Sequence, residues 1–429
     1  MSEKEKKLIT ICEAIWEKRA KPNIWLDREA EAIDPSFLVY KRLDGLRAIL
    51  TPFARGVLRP SDLPLISQKD FIKEIATLAD FLTKSKHFYP APHTQTLDPQ
   101  PDDYIDMAAH SLLFGIYALN LKLASNTRAS VFNLIDKCVK CLTDENNYYH
   151  DTRLAAWAGT TKYQEERNIK FLGVYFSAQA IGAISEWLTF VSKQVGVSKD
   201  IKNNTAELIK KGCRWMLSQT NKTYDILSPE NKEATVNELI TTNTAALTIC
   251  LQQWELLNTT EQNLTRKIAT NFINYLKTNK PEDTQWHRLV PTQQVGPQFY
   301  YDRQDNYGIV TFLASAKEKV GDASISAIEE LAGYFIREYL HVKVDDLLIG
   351  CLPWYIQDHI ASLNIFSELH SELTFSGNTL RKAIFVALND TGLIENVTRS
   401  VLRNLVDIEK KLEIEKTEEK LRRSKEMKK

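Results

Sequence analysis

Asp102, Asp103 and Asp106, spelled DDYID, come closer to a recognisable chemistry than any other group in the chain. Carboxylates at i, i+1 and i+4 can converge on one face of a helix and suit a hard cation such as magnesium. They also follow Pro99 and Pro101 at the expected start of a helix. There, acids accept hydrogen bonds from free backbone amides and complement the helix dipole. Capping is the reading adopted, because no second metal motif accompanies them. Magnesium is the alternative, and no other cofactor is expected.

A second set of acids lies beside aromatic residues in the segments between predicted helices. Tyr149 and Asp151 stand near Trp157, Trp286 precedes Tyr300, Tyr301, Asp302 and Asp305, and Asp345 and Asp346 precede Trp354 and Tyr355. Two carboxylates facing each other across a cavity can hydrolyse a glycoside, with the aromatics stacking on sugar rings. The same acids also suit the role of caps for the helices that follow. The expected binding residues are Tyr149, Asp151, Trp157, Trp286, Tyr300, Tyr301, Asp302, Asp305 and Trp354, with no assigned catalytic residue. Cys138 and Cys141 form a Cys-x-x-Cys late in an amphipathic helix, on its apolar stripe, which predicts core packing. The histidines are scattered, without metal-ligand spacing.

What must position these groups is a run of helices. Apolar helical cores recur at Gly115, Gly182, Ile249 and Ala316, a constant step of 67 residues. Each step holds an apolar inner helix, a short link, an amphipathic outer helix and a long loop, which predicts roughly twelve to fifteen helices in all. If the pairs close into a ring, the long loops gather on one rim, where a protein or small-molecule partner would bind. The expected layout is a single body: 1–90 an N-terminal helical cap or incomplete repeats, 91–398 the repeats, 399–429 a charged C-terminal helix or tail.

The 55 basic and 55 acidic residues balance, so overall attraction to nucleic acid or an anionic membrane is not indicated. The start of the chain has too short an apolar run for a signal peptide, and no stretch of about 20 apolar residues occurs. A cytoplasmic protein without a membrane segment is expected, with Cys12, Cys138, Cys141, Cys213, Cys250 and Cys351 reduced.

Residues 206–251 resemble a repeat of the terpenoid cyclase and protein prenyltransferase superfamily. The resemblance rests on Gly212, Trp215 and Gln219 in GCRWMLSQ and on the helix opening TTNTAALTICL. It implies an all-α fold, an α/α toroid with an apolar centre. The chain departs from that superfamily in its chemistry: no Asp-x-Asp-Asp occurs, and the pair Asp136 and Cys138 lies within an outer helix. The expected function is recognition or scaffolding. The alternative is an enzyme that uses the toroid cavity on an isoprenoid or a glycan.

Overall fold

Two kinds of helix alternate along the chain, and burial separates them. A computed structural model describes residues 3–18, 36–88, 103–161, 173–194, 198–226, 236–278, 308–321, 324–341 and 352–365. Among these described residues are twelve α-helices. The odd-numbered ones are α1 (Glu3–Lys18), α3 (Gln68–Lys84), α5 (Ser125–Thr143), α7 (Lys199–Ile226), α9 (Thr259–Thr278) and α11 (Ile325–His341). The even-numbered ones are α2 (Ser36–Ala54), α4 (Ile105–Ala118), α6 (Val174–Ser192), α8 (Val236–Gln252), α10 (Ile309–Lys317) and α12 (Leu352–Ile365).

The even helices are inner helices. In α4 every residue except Leu113 is buried, the mark of a helix surrounded by protein on all sides. The odd helices bury only a stripe, as α3 does with Phe71, Ile75, Leu78, Ala79 and Leu82. That 3.6-residue spacing covers one face and leaves the other to water.

The inner helices pack on one another in order: α2 on α4, α4 on α6, α6 on α8, α8 on α10 and α10 on α12, with α12 packing back on α2. Each outer helix lies against inner neighbours, for example α3 on α2 and α4, α7 on α6 and α8, and α11 on α10 and α12. The stretch read as an N-terminal cap or incomplete repeats supplies α1, α2 and α3, and α2 takes its place between α12 and α4. The described residues all fall within the unit Met1–Ile365. The expected tail at 399–429 and the proline-rich segment before Asp103 lie outside the described residues.

The 67-residue step corresponds to real neighbours. Gly115, Gly182, Ile249 and Ala316 all fall on inner helices, and a Cβ built on Gly182 would come 3.0 Å from Ile249 Cδ1. Gly212, in the segment that resembles a cyclase repeat, lets α7 approach α6 closely. A Cβ there would stand 2.5 Å from Ile181 Cδ1 and 3.5 Å from the Trp157 ring. Gly212→Val should therefore lower the unfolding free energy by about 1–3 kcal/mol. Urea denaturation checks this, and an unchanged midpoint would mean that the helices are not so close. None of the described helices is long and apolar enough to cross a membrane.

Candidate functional site

The acids of the DDYID motif separate in the fold. Asp102 lies outside the described residues. Asp103 Oδ1 accepts the Phe88 amide at 2.8 Å, fastening the end of the α3 segment to the start of α4. Asp106 is buried and accepts the Met107 amide at 2.8 Å, within the first turn of α4. The N-cap residue itself is Tyr104, which makes no side-chain cap. Asp106 thus satisfies one first-turn amide without being the N-cap, whereas Asp103 serves the neighbouring segment. Among the described residues no group of three or more His, Cys, Asp or Glu is arranged to hold a metal ion.

Burial pushes the Asp106 carboxyl up to about 6. An unfolded aspartate titrates near 3.9, so the folded state keeps its proton to higher pH. Asp106 therefore contributes most favourably below about pH 4, and that contribution falls by about 3 kcal/mol as the pH rises to about 6. Asp106→Asn should gain stability over wild type by that order between pH 4 and 7. Denaturation at the two pH values tests it, and a variant-minus-wild-type difference independent of pH would contradict it.

The expected rim aromatics divide similarly. Tyr149 and Asp151 belong to a small hairpin, β1 (Tyr149–His150) against β2 (Ala155–Ala156). Asp151 Oδ1 accepts the amides of Arg153 at 2.6 Å and Leu154 at 2.7 Å, so the acid organises its own turn. These amides hold its carboxyl below the ordinary range. Trp157 is fully buried, its Nε1 donating to the Leu142 carbonyl at 3.1 Å and its ring stacked on Tyr148 at 4.9 Å. An indole whose N–H has an acceptor can be buried whole, so Trp157 belongs to the core. Trp286, Tyr300, Tyr301, Asp302 and Asp305 lie outside the described residues. Cys138 and Cys141 are buried, and desolvation pushes both thiols up and away from thiolate chemistry.

Among the described members of the expected set, Trp354 reaches a cavity. That cavity, of about 710 Å³, is lined from all six inner helices. Its walls are built from residues that recur along single helix faces: Gln179, Gly182, Ala183 and Glu186 on α6; Ala245, Thr248, Ile249 and Gln252 on α8; Thr311, Ala314 and Ser315 on α10, with Glu318 following. Arg47 and Arg55 come from α2 and its end, Leu113 and Tyr117 from α4, and Trp354, Gln357 and Ala361 from α12. The positions at i, i+4 and i+7 explain the convergence, since they share one helix face.

The cavity reaches the C-terminal ends of α2, α4, α8 and α10, whereas α6 lines it with its middle and α12 from Trp354 to Ala361. Helix C-termini carry partial negative charge, and Arg55 and Lys319 stand beside two of them, at the ends of α2 and α10. Arg55 pairs with Glu186 across the end of α4 and donates to the Tyr117 hydroxyl at 3.2 Å. Tyr117 and Glu186 reinforce the positive charge of Arg55, and burial raises the Tyr117 hydroxyl to about 12. On the α8–α10 side, Gln252 Nε2 donates to Ser315 Oγ at 3.5 Å.

Deeper in, the wall is held from behind. Gln179 Oε1 lies 3.3 Å from His110 Nε2. Thr311 donates its hydroxyl at 2.6 Å and its amide at 2.8 Å to buried Asp358, which also accepts the Gly308 amide at 2.6 Å. Asp358 on α12 thereby caps the start of α10. Trp354 and Gln357, on the same helix, are half-buried and line the cavity.

Sequence reasoning missed Arg47, Arg55, Gln179, Glu186, Thr248, Gln252 and Gln357. The signal was present as polar residues at helical spacing inside apolar helices, such as Gln179 and Glu186 within SAQAIGAISEW.

No family model and no curated protein matches the chain. Among solved structures the chain is similar to a reducing end xylose-releasing exo-oligoxylanase, over 75% of this chain and 80% of that one, with 11% identity and a TM-score of 0.40.

Proposed function

We propose that this is a helical-repeat recognition protein of α/α-toroid fold, whose six inner helices close a ring around a cavity that binds a hydroxyl-rich small molecule, a carbohydrate. The observation that carries the reading is the composition of the lining. Gln179, Gln252, Gln357, Thr248, Thr311 and Ser315 supply amides and hydroxyls from four helices, and Trp354 supplies an aromatic face. Side-chain amides and hydroxyls both donate and accept, as sugar hydroxyls require, and the volume suits a small ligand. An isoprenoid would set hydrocarbon against the amides and hydroxyls of Gln179, Gln252, Gln357 and Thr248 and offer them no hydrogen bond. The five described cysteines are free and buried, which accords with a reducing compartment such as the cytoplasm.

Titration calorimetry with D-glucose, cellobiose and maltotriose tests the reading. At least one should bind, and Ala314→Trp, which grows an indole from a half-buried wall position, should weaken it about tenfold or more. Binding weaker than about 10 mM for all three sugars would sink the proposal.

A second reading is favoured by two carboxylates, Glu186 and Glu318, which line the same cavity. An enzyme would use them as a pair on a glycosidic bond. Release of reducing ends from cellobiose or maltotriose, abolished by Glu186→Gln, would establish it. Binding without turnover would favour recognition.

A further inference from the structure

Arg47 lines the cavity with a guanidinium that the protein itself satisfies only in part. Its side chain is only 4% exposed, and its nearest carboxylate oxygen, Asp44 Oδ1, lies at 3.8 Å. That separation is too long for a hydrogen bond. The Arg47 Nε–H is buried and has no hydrogen-bond partner in the protein. The Thr248 hydroxyl on α8 is likewise buried without a partner, and both residues line the same cavity. In the cycle of inner helices α8 stands three places from α2 in either direction, so the two face each other.

Buried polar groups are ordinarily satisfied, and an unpaired guanidinium donor is among the costlier exceptions. The guanidinium fork matches a carboxylate with two parallel hydrogen bonds. A second guanidinium, Arg55, and the Lys319 ammonium also line the cavity, against the carboxylates of Glu186 and Glu318; Glu186 is already paired with Arg55, and Asp44, buried beside Arg47, does not line the cavity. The depth is also suitable. Arg47 lies about two turns below the end of α2, and Thr248 about one turn below the end of α8, so a molecule entering from the mouth presents its leading end to both.

We infer that the ligand carries a carboxylate at its leading end, seated on Arg47, with the Thr248 hydroxyl contacting it from the opposite wall. This rests on the reading of the cavity as a carbohydrate site and adds the charge of the ligand to it.

D-glucuronate and D-glucose differ only in having a carboxylate or a hydroxymethyl group at one end. Calorimetry on the wild-type protein should show glucuronate binding roughly ten to a hundred times more tightly. Arg47→Met should abolish that preference, so that glucuronate binds the variant no more tightly than glucose does, with the unfolding midpoint measured as a control. Equal affinities in the wild type, or a preference that survives Arg47→Met, would overturn the inference and leave the carbohydrate site standing. Failure of glucuronate and glucose to bind, where cellobiose or maltotriose binds, would likewise overturn the inference and leave the site standing; failure of all four would overturn the site as well. Should Arg47→Met fail to fold, the structure of the wild-type glucuronate complex decides. A carboxylate on Arg47 supports the inference, and a carboxylate seated elsewhere refutes it.

Discussion

Trp157→Ala should lower the unfolding free energy by about 3–5 kcal/mol, the range for removing a large aromatic ring from a packed core. The ring touches the regions that surround it. It stacks on Tyr148, donates to Leu142 at the end of α5, and lies against the helix position of Gly212 on α7. The Trp157 amide also donates to Ser177 Oγ at 3.0 Å near the start of α6. Trp157→Phe should cost less, about 1–3 kcal/mol, since it keeps most of the ring and strands only the Leu142 carbonyl. Urea denaturation measures both. A loss below about 1 kcal/mol for the alanine variant would show that Trp157 is not the core residue described.

Asp358→Ala should be comparably damaging, at about 2–5 kcal/mol, because it removes the shared acceptor of three donors, one buried and two half-buried. Those donors are the Gly308 amide, the Thr311 amide and the Thr311 hydroxyl. α10 is short, and a short helix depends on its caps and its packing more than on propensity. Its start is also conformationally demanding. Gly308 has φ +89°, and a Cβ there would meet Trp354 Cε3 at 3.0 Å. Asp358 therefore fixes the position of Thr311 and Ser315 in the cavity wall as well as the stability of α10. Calorimetry with a bound sugar should separate the two variants. Asp358→Ala should weaken binding, whereas Trp157→Ala should lose stability with little change in affinity.

The two variants also show which parts of the structure the sequence revealed. The 67-residue step located α4, α6, α8 and α10, because a fully buried helix must be apolar on every face and such helices are easily distinguished from amphipathic ones. α2 was harder to place. Its interior carries Asp44 and Arg47, both buried, and charged residues within an apolar run resemble the solvent face of an outer helix. Pro353 sits in the first turn of α12, where a missing amide costs nothing, so it starts that helix instead of kinking it.

The site was less legible for a different reason. Acids and aromatics in loops attract attention by their density, yet Asp151 is engaged by its own turn, Asp103 by the Phe88 amide, and Trp157 by the core. The residues that meet in the cavity run from Arg47 to Ala361 and come from six helices. Each helix contributes only a few polar positions, unremarkable alone. Their convergence follows from the order in which the inner helices pack, and no local spacing encodes that order.

The measurement that bears most directly on this account is hydrogen–deuterium exchange of the wild-type protein with and without saturating maltotriose. Protection of the inner-helix segments that line the cavity, from Arg47 on α2 to Ala361 on α12, is the predicted result. Protection confined to the hairpin at 149–156 and the long-loop segments, with those inner-helix segments unchanged, would contradict it.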